Sequence, residues 1–340
     1  MLRRAPMILA ALLASMAAPV LAAAPTGQSP YAALASTEAR VAAIGFRLTT
    51  ANAAWCPVRQ PQFGWIWGDP RLYAADRRAE ALAAYSAEDQ THPFIAALAP
   101  HSPAASAGMK VGTPVTAIAD APVPDGTGDH PFARITAIEG SMAARPVDAA
   151  IALHVGAGHI VQLTPVAGCV SDFRVEANEK PGAVADGRMV LVNQGLGDFA
   201  ADDEELAAAI AHELAHNILR HRARLDAAGV DRGIGKQFGR NARLFKQTEA
   251  EADRLSVWLL VGAGYDPAAA ARFWSRFGQR KGRPLFQAST HPNWRDRVAS
   301  LEAETSTIAS LRKAGQPLHP PLVDAPPPLD PPPLDPPPLE

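Results

Sequence analysis

The run His212-Glu213-Leu214-Ala215-His216 sets two imidazoles four residues apart with a carboxylate between them. On an α-helix, residues four apart share a face, so both rings can reach one ion. Glu213 projects beside them, where it can take a proton from a water held at that ion. A second run, Glu249-Ala250-Glu251-Ala252-Asp253, repeats the spacing with carboxylates at its two ends. One carboxylate added to two imidazoles makes three protein ligands and leaves a fourth zinc position open for water, which is the catalytic arrangement. Asp253 suits a different task. Facing inward, it can accept a hydrogen bond from the other ring nitrogen of a ligand histidine and so fix that ring.

Both runs need helices to work. Asp202 with Glu205 can form a capping box, and Leu206, Ile210, Leu214 and Ile218 supply an apolar stripe. His212 and His216 lie beside that stripe, which predicts a partly buried site. Leu255, Leu259 and Leu260 continue the helical period beyond Asp253. Helical character runs with breaks from residue 203 to about 311, and residues 38–54 and 71–86 are further candidates. Between them, from Thr91 to Cys169, the texture is of short β-like runs punctuated by Gly and Pro. Residues 151–155 and 159–166, around Gly156-Ala157-Gly158, read as a hairpin. The fold class is therefore α+β.

The two acidic and basic runs together resemble the gluzincin metallopeptidases of the HtpX, BepA and CAAX-prenyl-protease group. In that group the ligand glutamate lies four residues before the aspartate, so the resemblance implies Glu249 as the third ligand, with Glu251 as a competitor, and one Zn2+ per chain. Glu204-Glu205-Leu206, His221 and Thr290-His291-Pro292 with Arg297 agree with further segments of the group. By resemblance His291 is the candidate donor to the tetrahedral intermediate, or a cap on the metal, and Arg297 is the alternative donor. His221, near an expected helix end, reads as dipole-stabilising and stays outside the site. The strand-like segment 187–195 precedes the metal helix. The resemblance implies an edge strand with Val190 and Val192 against substrate; a buried core strand fits the same residues.

Ser102 to Val123 resembles the central part of a bacterial PDZ domain, with Gly108 and Gly112 at that pattern's glycines. The loop before its expected peptide-binding strand reads SAEDQTHPF, without glycine, so a packing module and a peptide groove both stand. The resemblances imply a mainly helical metallopeptidase domain with a small edge-stranded sheet and a β-rich PDZ-like insert.

Length and composition set the outer limits. The 340 residues suit about two domains. A formal charge of -2 gives no electrostatic case for a nucleic-acid partner. Arg3 and Arg4, an apolar run and small residues up to Ala24 read as an export signal, which predicts a periplasmic protein with no membrane span once it is removed. In an oxidising compartment Cys56 and Cys169 are expected to pair. Twelve of the 32 prolines lie between Pro317 and Pro338, ending in three Pro-Pro-Pro-Leu-acid units that favour polyproline II and form no core. The expected organisation is signal 1–24, N-terminal peptidase part 25–88, PDZ-like domain 89–168, metallopeptidase domain 169–315 and disordered tail 316–340. The function expected is hydrolysis of unfolded or extended polypeptide in envelope quality control. The alternative is a non-catalytic adaptor or holdase whose PDZ-like domain binds peptides and whose zinc is structural.

Overall fold

The computed structural model describes residues 29–230, 239–281 and 293–329; the expected export signal, His291 and the end of the tail lie outside the described residues. About half of the described residues are helical, and the strands form four small sheets.

Helix α1 (Pro30–Ala51) is capped by Ser29, whose hydroxyl accepts from the Tyr31 N–H, and it places Pro30 where a missing N–H costs nothing. Then come β1 (Arg59–Gln62), β2 (Trp65–Gly68) and the short α2 (Arg78–Ala83). The helix expected over 71–86 is reduced to this single segment. Tyr73 adopts extended backbone, which sets its ring against those of Tyr31 and Tyr85, so packing overrides local propensity.

The next elements are β3 (Phe94–Leu98), α3 (Pro103–Ser106), β4 (Val115–Ile118), β5 (Ala121–Pro122), α4 (Ala133–Ala143), β6 (Ile151–Val155) and β7 (His159–Leu163). Strands β4 to β7 form one sheet in the order β5-β4-β6-β7, with the expected β6–β7 hairpin at its edge. Ile135, Ile138 and Met142 of α4 pack with Val115, Ile118, Ile151 and Leu153 in a second core. That core also takes in Phe63 and Trp67, so it reaches back before residue 89.

β8 (Val166–Cys169) returns antiparallel to β1, and the Cys56–Cys169 disulfide stands at the end of this pair with 5.3 Å between Cα atoms. β9 (Asp172–Glu176), β10 (Ala183–Ala185) and β11 (Met189–Asn193) form a sheet in the order β10-β11-β9. Seven helices follow among the described residues: α5 (Gln194–Phe199), α6 (Asp203–Ile218), α7 (His221–Ala227), α8 (Gly239–Gly262), α9 (Ala268–Lys281), α10 (Trp294–Lys313) and α11 (Pro321–Asp324). Leu206, Ile210 and Leu214 of α6 meet Leu255, Leu259 and Phe273 in the larger core, which α1 also joins through Val41, Ile44 and Leu48.

The two cores share a wall. Side chains alternate faces along a strand, and on the β2–β3 ribbon Ile66, Phe94 and Ala96 enter the larger core while Trp67 and Ile95 enter the second. Both edges of β3 are in use. β2 pairs along one, and the Pro93–Val115, Ile95–Thr113 and Gly112–Ile95 backbone bonds occupy the other. The second edge is thus occupied around Ile95.

Two other expectations change. β11 is the middle strand of its sheet, and Val190 and Val192 are fully buried, so these residues belong to the core and not to a substrate-lining edge. β10 and β9 are the edge strands, and Val184 of β10 is 58% exposed. Within residues 316–329, expected as part of a disordered tail, Leu322 joins the larger core and Leu329 is buried against α7 and α8, while residues 324–328 between them are exposed.

Candidate metal centre

Helix α6 begins where its charges predict. The Asp202 carboxylate accepts from the Glu205 N–H at 2.8 Å, and Glu205 reaches back to accept from the Ala201 N–H at 2.9 Å. Three turns on, His212 and His216 share one face, with Nε2 atoms 3.2 Å apart. Glu249 arrives from α8, its two carboxylate oxygens each 3.5 Å from one of these nitrogens. One ligand atom from each of the three residues lies within 4.8 Å of the others. Atoms bonded to zinc at about 2.0–2.1 Å in a tetrahedron stand about 3.3 Å apart, so this donor set fits zinc.

The other ring nitrogens are held from outside the cradle. His212 Nδ1 stands 3.0 Å from Asp253 Oδ1, one turn beyond Glu249 on α8. The Arg297 guanidinium, from α10, donates to both Asp253 oxygens at 2.6 and 2.7 Å. Its NH2 also lies 3.1 Å from His212 Nε2, and the group stacks over the Trp274 ring. Trp274 in turn meets the His212 ring edge-on.

His216 is held through a residue that spacing alone placed outside the site. Arg220 takes a left-handed conformation, φ 53°, which ends α6 and starts α7 at His221. His221 thus sits at a helix start and turns back, its Nδ1 2.8 Å from His216 Nδ1. His221 Nε2 lies 3.1 Å from Glu251 Oε2, which also accepts from Arg224 at 2.6 Å. Glu251 is therefore not a competing metal ligand; it faces His221, Arg224 and Gln247.

Charge states suit a metal. Burial holds His216 well below the ordinary imidazole value, leaving it neutral. Burial alone would raise Glu249, but hydrogen bonding to His212 and the charges around it keep its carboxylate ionised. For His212, burial and Arg297 act downward, yet the hydrogen bonds with Asp253 and Glu249 prevail and hold it at about 9. A metal ligand must be deprotonated, so binding here releases a proton. Glu213 is half-buried beside the cradle and faces the Ala185 N–H of β10. Burial, reinforced by the Glu249 charge, pushes its carboxyl up to about 7, the range that suits a group shuttling protons near neutrality.

Of the residues singled out from sequence, His212, Glu213, His216, Glu249, Asp253 and Arg297 are brought together; Val190 and Val192 are not, and His291 lies outside the described residues. His221 and Trp274 join the site without having been expected there. The spacing of His221 was visible, but the left-handed turn that aims it carries no Gly or Pro to announce it.

Residues 173–234 and 238–305 match the sequence model of Peptidase family M48. The chain is 29% identical over 153 residues to the mitochondrial metalloendopeptidase OMA1 of Schizosaccharomyces pombe, covering 38% of this chain and 45% of that protein. It is 30% identical over 133 residues to the mitochondrial metalloendopeptidase OMA1 of Arabidopsis thaliana, covering 33% of this chain and 27% of the relative. The alignments thus span less than half the length of these curated relatives. The segments that match Peptidase family M48 are the ones that carry the metal cradle.

Proposed function

We propose that the chain is a zinc-dependent endopeptidase that hydrolyses extended segments of polypeptide. The observation that carries this is the His212–His216–Glu249 cradle with the Glu213 carboxyl beside it. A structural zinc needs four protein ligands and no neighbouring proton acceptor, whereas this arrangement offers three ligands and one acceptor. When bound, zinc supplies Lewis-acid polarisation of the scissile carbonyl and makes a water acidic enough to attack near neutral pH. Glu213 takes the proton from the attacking water and hands it to the leaving amide nitrogen. Asp253 and His221 fix the rings of His212 and His216. Arg297 holds Asp253 in place, and His291 or Arg297 is the donor to the developing oxyanion.

The free edge of β10 is where substrate would lie. Its Ala185 N–H faces Glu213, and pairing along an edge selects extended chain over folded surfaces. The site residues proposed for substrate contact are accordingly on β10. The residues before 29 support export to a periplasm, and a role in envelope quality control follows from that address together with an appetite for unfolded chain. No helix among the described residues is long and apolar enough to cross a membrane. The four-stranded sheet with α4 supports the PDZ-like reading as a packing module, because β3 has both edges paired.

The test is Glu213→Gln. The variant keeps one zinc per chain by elemental analysis and loses casein cleavage by about 10²–10⁴-fold. Retained zinc with full cleavage would sink the proposal.

A further inference from the structure

The proline-rich tail leaves the larger core at α11 and runs on to α7 and α8. There Leu329 is buried with Leu225 of α7, Val230 and Leu244 of α8, and Ala228 and Phe245 pack around them. The backbone beside it is held by two side chains. Arg224 donates to the Pro327 carbonyl at 2.6 Å, and Gln247 donates to the Pro328 carbonyl at 3.2 Å. A polyproline II chain makes no internal hydrogen bonds, so its carbonyls are free for such donors, and its stiffness lowers the entropy lost on docking.

We propose that the face formed by α7 and α8 is a binding site for a Pro-Pro-Pro-Leu segment, occupied by the chain's own tail, with leucine as the anchor and Arg224 and Gln247 as the carbonyl clamp. The occupant is in cis: the connection from α11 at Asp324 to Leu329 is only five residues long. The unit Pro326-Pro327-Pro328-Leu329 recurs as Pro331-Pro332-Pro333-Leu334 and Pro336-Pro337-Pro338-Leu339. All three units carry the same anchor, so the site has three interchangeable ligands on one tether. Loss of the first anchor is met by a shift of one repeat.

The clamp also touches the metal centre. Arg224 and Gln247 donate to Glu251, Glu251 meets His221, and His221 meets His216. A docked tail thus orders the same two side chains that support one ligand histidine. The docking itself is independent of whether the cradle hydrolyses peptides.

The test uses the full chain with Leu329, Leu334 and Leu339 all changed to Asp, and a fluorescein-labelled peptide of residues 325–335 followed by anisotropy. Circular dichroism and the thermal midpoint establish that the triple variant is folded. The open site takes up the peptide at least about tenfold more tightly than the wild-type chain does, as expected from the burial of one leucine side chain. Changing both leucines of the peptide to Asp abolishes uptake, and adding Gln247→Ala to the protein weakens it. Leu329→Asp alone stays closed to the peptide because Leu334 replaces it. Equal uptake by the wild type and the triple variant, or uptake indifferent to the peptide's leucines, would overturn the proposal. A concentration-dependent dimer of the wild type that the triple variant loses would overturn the occupancy in cis.

Discussion

Arg297 and Asp253 offer the sharpest test of what holds the cradle. Both side chains are buried, at 6% and 2% exposure, and two hydrogen bonds of 2.6 and 2.7 Å join them. Arg297→Met keeps the apolar contact with Trp274 but leaves the Asp253 carboxylate without its counter-charge. Breaking a buried pair from one side costs about 3–5 kcal/mol. Asp253 retains one partner, His212 Nδ1 at 3.0 Å, which places the expected loss near the lower end, about 3 kcal/mol. Removing both charges in Arg297→Met/Asp253→Leu restores most of that stability, to within about 1–2 kcal/mol of the original chain, because an apolar pair of similar volume replaces the ions. Metal binding does not follow. The double variant still lacks the acceptor that orients His212, so its zinc affinity stays about 10–100-fold below the original. Urea unfolding of chelator-treated protein, read by tryptophan fluorescence, measures the first quantity without linkage to metal. A zinc titration against a chromophoric competitor measures the second. A single-variant cost below about 1 kcal/mol, or a double-variant cost equal to the sum of the singles, would refute this account of the pair.

Two further predictions concern the larger core. The disulfide closes a separation of 113 residues, and Cys56→Ala/Cys169→Ala should lower unfolding stability by about 4–5 kcal/mol in the chain-entropy treatment; a loss under about 1 kcal/mol would show that the β1–β8 pair needs no staple. Glu38 of α1 lies buried near Tyr73 and Tyr85, and burial pushes its carboxyl up to about 8. Between the ordinary carboxylate range near ~4.3 and about 8 the folded chain holds a proton that the unfolded chain has released, so stability falls as pH rises through that window. Glu38→Gln should flatten the slope, and denaturant midpoints measured from pH 5 to 8 would expose an unchanged one.

The cradle was largely legible because its signals are local. Four-residue spacing on a helix needs no knowledge of the rest of the chain, and Asp253 follows Glu249 by the same rule that joins His216 to His212. The hairpin at Gly156 to Gly158 is local in the same way. Non-local placement was harder to read. β10 is three residues long, Ala183 to Ala185, too short to show a period, whereas the five residues of β11 show strand character on their own. His221 depends on a left-handed Arg220, a conformation no residue type demands. Tail packing depends on donors 80 to 103 residues earlier in the chain, which no composition reveals.

The β2–β3 ribbon carries a consequence for how this molecule comes apart. Its alternate side chains are rooted in different cores, so neither core can melt without stripping one face of the other's wall. Two hydrophobic centres of this kind should behave as one cooperative unit, giving a single calorimetric transition where the count of cores suggests two. The same ribbon packs the four-stranded sheet's core on one face and, on the other, the core that α1 shares with the metal-bearing helices, a double attachment laid down by the period of a strand.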